Sequence, residues 1–194
     1  MTSGFRRSPL ALAILGLLEA GPLHPYGIQQ LIKQWGKDEV INVGQRASLY
    51  KIINRLNEAG LIEVRSSSRD EQYPERTAYD VTASGKAAVR QWLAEILSTH
   101  RNEFPEFPAA LSFLQVISPS TSADLLEQRL EQLIQRVAEL DAEIVIQIEG
   151  FHLPRITMLE TEYVRAVTVA EMEWVRSILP SLRDGALTWT HERT

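Results

Sequence analysis

Behind Ser8-Pro9, an N-cap followed by proline at the first helical position, Leu10, Ile14, Leu17 and Leu18 recur at helical spacing until Ala20-Gly21-Pro22 stops the run. The pattern predicts a helix over roughly 9–20. After His24-Pro25, the residues Ile28, Leu31, Ile32 and Trp35 stand at i, i+3, i+4 and i+7, a one-sided second helix closed by Gly36. Leu49, Ile52, Ile53 and Leu56 repeat that spacing in a third helix over about 45–59, with Gly60 placed as the left-handed residue past its end.

The period then changes. Leu61 to Arg65 and Thr77 to Val81 carry β-branched and aromatic residues around a polar connection, Ser66 to Arg76, which predicts a two-stranded hairpin. Thr82 can cap a fourth helix whose apolar positions Val89, Trp92, Leu93, Ile96 and Leu97 keep helical spacing. Residues 98–107 lack periodicity and carry Pro105, so a domain boundary is placed there, with units 1–98 and 99–194.

A short helix is expected from Pro108 to about Ile117. From a cap near Thr121, Leu126, Leu130, Leu133, Val137, Leu140 and Ile144 then step by four and three, a heptad seam broken by Gly150 and Pro154. A second long segment, 155–183, spaces Ile156, Leu159, Tyr163, Val167, Ala170, Trp174 and Ile178 in the same way, and the tail after Asp184-Gly185 reads as frayed. Each long segment would extend ~43 Å at ~1.5 Å per residue, more than a small domain is wide. Further apolar residues (Leu125, Val145, Ile148, Val164, Leu179) widen the stripe beyond one seam. A hairpin folded on itself and a two-fold homodimer both satisfy this pattern, and the second accounts better for the excess. Leu126, Leu130, Leu133, Val137, Leu140, Ile144, Tyr163 and Trp174 are the residues assigned to an interface between copies. The fold class expected is mainly α with a small β-ribbon: a winged helix-turn-helix unit followed by a long-helix dimerisation unit.

Charge sharpens this division. The 194-residue chain has a net charge of −5, but residues 1–98 carry +2 and residues 99–194 carry −7. Between 44 and 69, Arg46, Lys51, Arg55, Arg65 and Arg69 face only Glu58 and Glu63. Three helices followed by a ribbon is the order in which a recognition helix enters the major groove while the ribbon lies along the backbone. On the polar face of the third helix, Arg46, Ser48, Tyr50, Lys51, Asn54 and Arg55 are of groove-compatible types. Arg and Lys pair with guanine or phosphate, Asn with adenine, and hydroxyls with phosphate. Arg65, Arg69 and Arg76 flank the ribbon and would meet phosphates or the minor groove. A two-fold dimer would set its recognition helices about 34 Å apart, with half-sites ~10 bp centre to centre.

The sequence resembles the PadR family of bacterial transcriptional regulators. The resemblance is carried by Leu12-Ala13-Ile14-Leu15-Gly16-Leu17-Leu18, Gly21-Pro22-Leu23-His24-Pro25-Tyr26-Gly27-Ile28, Ser48-Leu49-Tyr50 with Arg55-Leu56 and Glu58-Ala59-Gly60-Leu61-Ile62, the run Arg76 to Gly85, and Ala110-Leu111-Ser112-Phe113-Leu114. Pro25, Ala47 and Asn57 depart from the family pattern. The resemblance implies a homodimeric repressor that binds a pseudo-palindromic operator in double-stranded DNA and, in many members, is released by a small aromatic or amphipathic effector; a cytoplasmic location is the default expectation for a chain with no apolar span. Trp92, a flat indole on the fourth helix, is the residue expected to stack on such an effector.

Other chemistries find little support. There is no cysteine, and His24, His100, His152 and His191 offer no pair at ligand spacing, so neither a metal nor another cofactor is expected. Glu160 and Glu162, or Glu171 and Glu173, stand at i, i+2 and point to different helix faces, which is poor acid–base geometry. No glycine-rich phosphate loop or nucleophile elbow is present, and Ser66-Ser67-Ser68 reads as a strand end or turn. No apolar run reaches the ~18 residues of a membrane crossing. An enzyme is therefore not expected, and the remaining alternative is a helical protein-interaction module that does not bind DNA.

Overall fold

In the computed structural model, which describes residues 5–68 and 76–190, Ser8 Oγ accepts a hydrogen bond from the Ala11 amide at 3.2 Å and starts α1 (Pro9–Leu18). His24 Nδ1 likewise receives the Tyr26 amide at 3.2 Å at the head of α2 (Pro25–Gln34). Gly36, with a φ of +65°, turns the chain into a short 3-10 turn, Lys37–Glu39, that the periodicity does not announce. The turn hands over to α3 (Arg46–Glu58), whose Leu49, Ile53 and Leu56 are fully buried. Gly60, at φ +67°, closes α3, with the Gly60 amide bonded to the Asn57 carbonyl and Leu61 to that of Leu56.

Strands β1 (Ile62–Ser68) and β2 (Arg76–Val81) pair antiparallel from Ile62↔Val81 outward. The register slips between Val64 and Ser66, leaving Arg65 as a bulge residue without an opposite partner. Leu23, between α1 and α2, exchanges both backbone hydrogen bonds with Tyr79 (3.0 and 2.9 Å), so the ribbon's base is tied to the helices. Thr82 then caps α4 (Ala83–Ser98) by accepting the Gly85 amide, and its hydroxyl donates to the Gly60 carbonyl at 2.7 Å. Gly85 has no room for a side chain: an added Cβ would lie 2.0 Å from the Leu61 carbonyl oxygen. Residues from α1 to α4, among them Ile14, Leu15, Ile28, Ile53 and Val89, share one apolar core.

The chain divides into two units, Met1–Arg101 and Asn102–Thr194. In the second, α5 (Glu106–Leu111) begins earlier than expected, because Pro105 serves as its cap and Pro108 falls in the first turn, where a missing N–H costs nothing. A 3-10 turn, Leu114–Val116, leads to Ser118-Pro119, which repeats the Ser8-Pro9 device: Ser118 accepts the Thr121 amide and α6 (Pro119–Val145) starts there rather than at Thr121. After a π turn, Ile146–Gly150, and a 3-10 turn, Arg155–Met158, comes α7 (Leu159–Arg183).

Helices α6 and α7 form a hairpin within one chain. Ala123, Leu126, Leu130 and Leu133 pack against Val175, Ile178, Leu179 and Leu182. Ion pairs lace its flanks: Arg129 with Glu171 at 2.6 Å, Arg165 with Asp141, and Arg183 with both Asp124 (2.7 Å) and Glu127 (2.6 Å). The Arg165 guanidinium bonded to Asp141 holds that carboxyl below its ordinary pKa. The tail does not fray at Asp184-Gly185 as the sequence suggested. Trp189 packs on the hairpin core and its indole N–H donates to the Ile117 carbonyl at 2.8 Å.

Candidate nucleic-acid interface

Helix α3 owes its orientation to an amphipathic split. With Leu49, Ile53 and Leu56 in the core, the residues at i, i+4 and i+8 (Arg46, Tyr50, Asn54) form one outward strip, and Ser48, Lys51 and Arg55 at i, i+3 and i+7 form the other. Arg46, Ser48, Tyr50, Lys51 and Asn54 are all exposed, and among the described residues no carboxylate pairs with Arg46 or Lys51. Gln45 provides no side-chain cap at the start of α3, the end of a helix whose dipole favours anionic groups.

The segment entering α3 is held by Gln29, which is buried on α2 and donates its amide to the Val43 carbonyl at 3.0 Å. Asn42 receives the Gly44 amide at 3.2 Å in the same turn. These bonds fix the start of the helix against the one before it, which is what a helix-turn-helix needs to present a rigid face.

The ribbon's cations are distributed differently. Arg65 is exposed at the bulge, its guanidinium 3.9 Å from the Asp80 carboxylate, a partly neutralised charge beside α3. Arg76 opens β2, and Arg69 lies outside the described residues. Arg55 is only half exposed: its Cζ sits 4.9 Å from the centroid of the Phe5 ring.

Trp92 is 8% exposed, and its indole stacks on the same Phe5 ring, with centroids 5.8 Å apart and planes 17° from parallel. Of the residues assigned to an interface between copies, Leu126, Leu130 and Leu133 are spent on the hairpin core, Leu140 is buried, and Val137 and Ile144 are half-buried. Tyr163 and Trp174 differ. Tyr163 is 70% exposed, and Trp174, edge-on to Phe107 at 6.0 Å, keeps a large open face. They belong to a strip along one side of α7, Leu159, Tyr163, Val167 and Trp174, that the hairpin leaves uncovered, because α7 meets α6 through its other face, Thr161, Val175, Leu179 and Leu182.

Tyr26 is a surface residue that the periodicity did not single out. It is half exposed on the first turn of α2, and its hydroxyl accepts a 2.7 Å hydrogen bond from Gln30. An aromatic residue directly after Pro25, off the apolar stripe of Ile28 and Ile32, was the signal that could have found it.

Helices α2 and α3 with an adjoining two-stranded wing define a winged helix-turn-helix protein, the class that presents its second helix to the major groove. Residues 14–91 match the transcriptional regulator PadR-like family, a family of regulators of transcription. It is 26% identical over 136 residues to the negative transcriptional regulator PadR of Bacillus subtilis, covering 68% of this chain and 70% of that protein. Among solved structures it is similar to Bacillus subtilis PadR in complex with operator DNA (TM-score 0.72, 22% identity, 90% of this chain and 99% of that one). It is equally similar to the same protein in complex with p-coumaric acid (TM-score 0.72, 22% identity, 91% and 99%). The Vibrio cholerae virulence activator AphA matches at TM-score 0.69 with 20% identity over 91% of this chain and 99% of that one. At these identities the structural likenesses establish the fold. Among the described residues no helix is long and apolar enough to cross a membrane.

Proposed function

We propose that this chain acts in the cytoplasm as a homodimeric repressor that binds a pseudo-palindromic operator and is released by a small aromatic effector. The observation that carries the reading is the outward face of α3, where Arg46 and Lys51 stand without carboxylate partners among the described residues, beside Ser48, Tyr50 and Asn54. Arg46, Tyr50 and Asn54 read base edges or phosphates from one side of the groove, and Ser48, Lys51 and Arg55 take the phosphates of the other. Arg65, Arg69 and Arg76 follow the adjacent backbone, and Tyr26 offers a hydroxyl where the first helix of the pair crosses a strand.

The uncovered strip of α7 is the surface offered to a second copy, with Tyr163 and Trp174 as its aromatic anchors. The similar Bacillus subtilis protein, solved with operator DNA and with p-coumaric acid, supports a DNA site and a planar ligand in this reading. Trp92 is the residue assigned to that ligand. Because Phe5 covers its indole, an effector stacking there takes the place of the Phe5 ring.

The test is selection of bound fragments from the organism's genomic DNA at low salt, with footprinting of the best fragment. Two protected half-sites about one helical turn apart are expected. No enrichment, together with unchanged protein-partner binding after Lys51→Glu and Arg55→Glu, would favour the helical interaction module instead.

A further inference from the structure

The segment ahead of α1 is pinned at two points. Ser8 caps the helix, and Arg7 makes an ion pair with Glu95 on α4, a carboxylate that Gln91 also holds at 3.0 Å. These anchors stack Phe5 on Trp92, while the Arg55 guanidinium lies over the same Phe5 ring with its Cζ 4.9 Å from the centroid. Three groups from three parts of the chain, the leading segment, α3 and α4, thus meet at one ring.

A guanidinium lying over an aromatic ring uses its π face and keeps its edge N–H donors free for a phosphate. Among the described residues no carboxylate claims Arg55, and it shares a strip of α3 with Lys51 and Ser48. We propose that Phe5 is a positioning residue for DNA binding: held on Trp92, it fixes the Arg55 guanidinium for a backbone phosphodiester at the flank of α3. The proposal rests on the DNA-binding reading above and adds to it a residue outside the helix-turn-helix. Phe5 touches no nucleic acid itself; without its ring the Arg55 guanidinium is no longer held toward the phosphate and that contact is lost.

The experiment uses the full chain and a fluorescein-labelled mixed-sequence duplex of about 30 bp, long enough for two half-sites a turn apart, because a phosphate contact is independent of sequence. Affinity is read by anisotropy across a salt series. Phe5→Leu is expected to weaken binding about three- to ten-fold and to flatten the log–log salt slope by roughly one unit, as loss of one phosphate contact does. Phe5→Tyr, which keeps the ring, should restore both. Arg55→Gln should lose the same factor, and Phe5→Leu added to Arg55→Gln should lose nothing more. Arg55→Lys, which leaves the Phe5–Trp92 stack in place, keeps the charge but not the planar face and should fall between wild type and Arg55→Gln. It serves in place of Phe5→Leu if that chain does not fold.

Wild-type affinity in Phe5→Leu or in Arg55→Lys overturns the proposal, as does a Phe5→Leu loss that persists undiminished in the Arg55→Gln background. Lys51→Gln separates the two levels. If it weakens binding while Phe5→Leu does not, the role of Phe5 alone fails; if neither it nor Arg46→Gln has any effect, the DNA-binding reading fails with it.

Discussion

The side-chain amide of Gln29 donates to the main-chain carbonyl of Val43 across 3.0 Å, joining the middle of α2 to the turn that launches α3. Both groups are buried, so the bond acts as a set-screw on the helix-turn-helix. Gln29→Leu strands the carbonyl and is expected to cost about 1–3 kcal/mol, the penalty of an unpaired buried acceptor. Chemical denaturation would show a lower midpoint at unchanged slope. Retained wild-type stability would mean that the turn is set by other contacts.

Gly85 makes a sharper prediction. With a methyl group, it would meet the Leu61 carbonyl at 2.0 Å and the Val81 side chain at 2.8 Å, both parts of the packing between α4 and the ribbon's base. Gly85→Ala should destabilise the N-terminal unit by at least about 2 kcal/mol, the scale of core overpacking. The thermal midpoint of the full chain reports it, and an equal substitution at Gly16, where an added Cβ meets nothing, should leave the melt in place or raise it slightly.

Charge reversal on α3 separates recognition from folding. Lys51 and Arg46 are exposed, so Lys51→Glu or Arg46→Glu should leave the circular dichroism spectrum and melting curve unchanged. Each should nevertheless weaken binding to every duplex tested and reduce the salt slope by roughly one to two units, the mark of a lost phosphate contact and an added repulsion.

The α7 strip predicts the assembly. Tyr163→Glu or Val167→Glu places a carboxylate on the uncovered apolar side without touching the α6–α7 core. Light scattering should then give the mass of one chain, and specific DNA affinity should fall, because two half-sites no longer bind as a unit. Substitution of Leu126 or Leu179 by alanine should instead lower stability by about 2–5 kcal/mol, as cavities in a packed seam do.

Acid should destabilise the second unit, through one pair that joins α6 to α7 and one that ties the turn before α7 to that helix. The Arg165 guanidinium lowers the pKa of Asp141, and Arg155 does the same for Glu162. A carboxyl with a depressed folded-state pKa contributes stability that is present above its unfolded-state value and is lost as pH falls through the folded one. The thermal midpoint should therefore drop as pH is lowered through the carboxylate range, and more shallowly in the double variant Asp141→Asn, Glu162→Gln. High salt should mimic part of the effect at neutral pH, since these pairs are solvent-accessible.

Much of the fold was readable because it rests on local rules. Ser-Pro pairs start α1 and α6, Gly60 ends α3, and one apolar stripe per helix decides what is buried. The polar face of α3 was legible for the same reason, since Leu49, Ile53 and Leu56 leave only one direction for Arg46, Tyr50 and Asn54. What escaped were relations between segments far apart in sequence. The heptad in α6 does not say whether its leucines meet a second chain or α7, and α7 carries two apolar sides: of the periodic series Leu159, Tyr163, Val167, Trp174 and Ile178 only Ile178 packs in the hairpin, which otherwise uses Val175, Leu179 and Leu182. Phe5 stands outside every periodic run, and nothing local brings it to Trp92 and Arg55.

Leu126 is buried, and Leu130 and Leu133 are partly buried, against α7 of their own polypeptide, so this seam closes without a second chain. A second copy meeting the uncovered α7 strip would therefore dock on a hairpin already folded, and leave it without that hairpin coming undone.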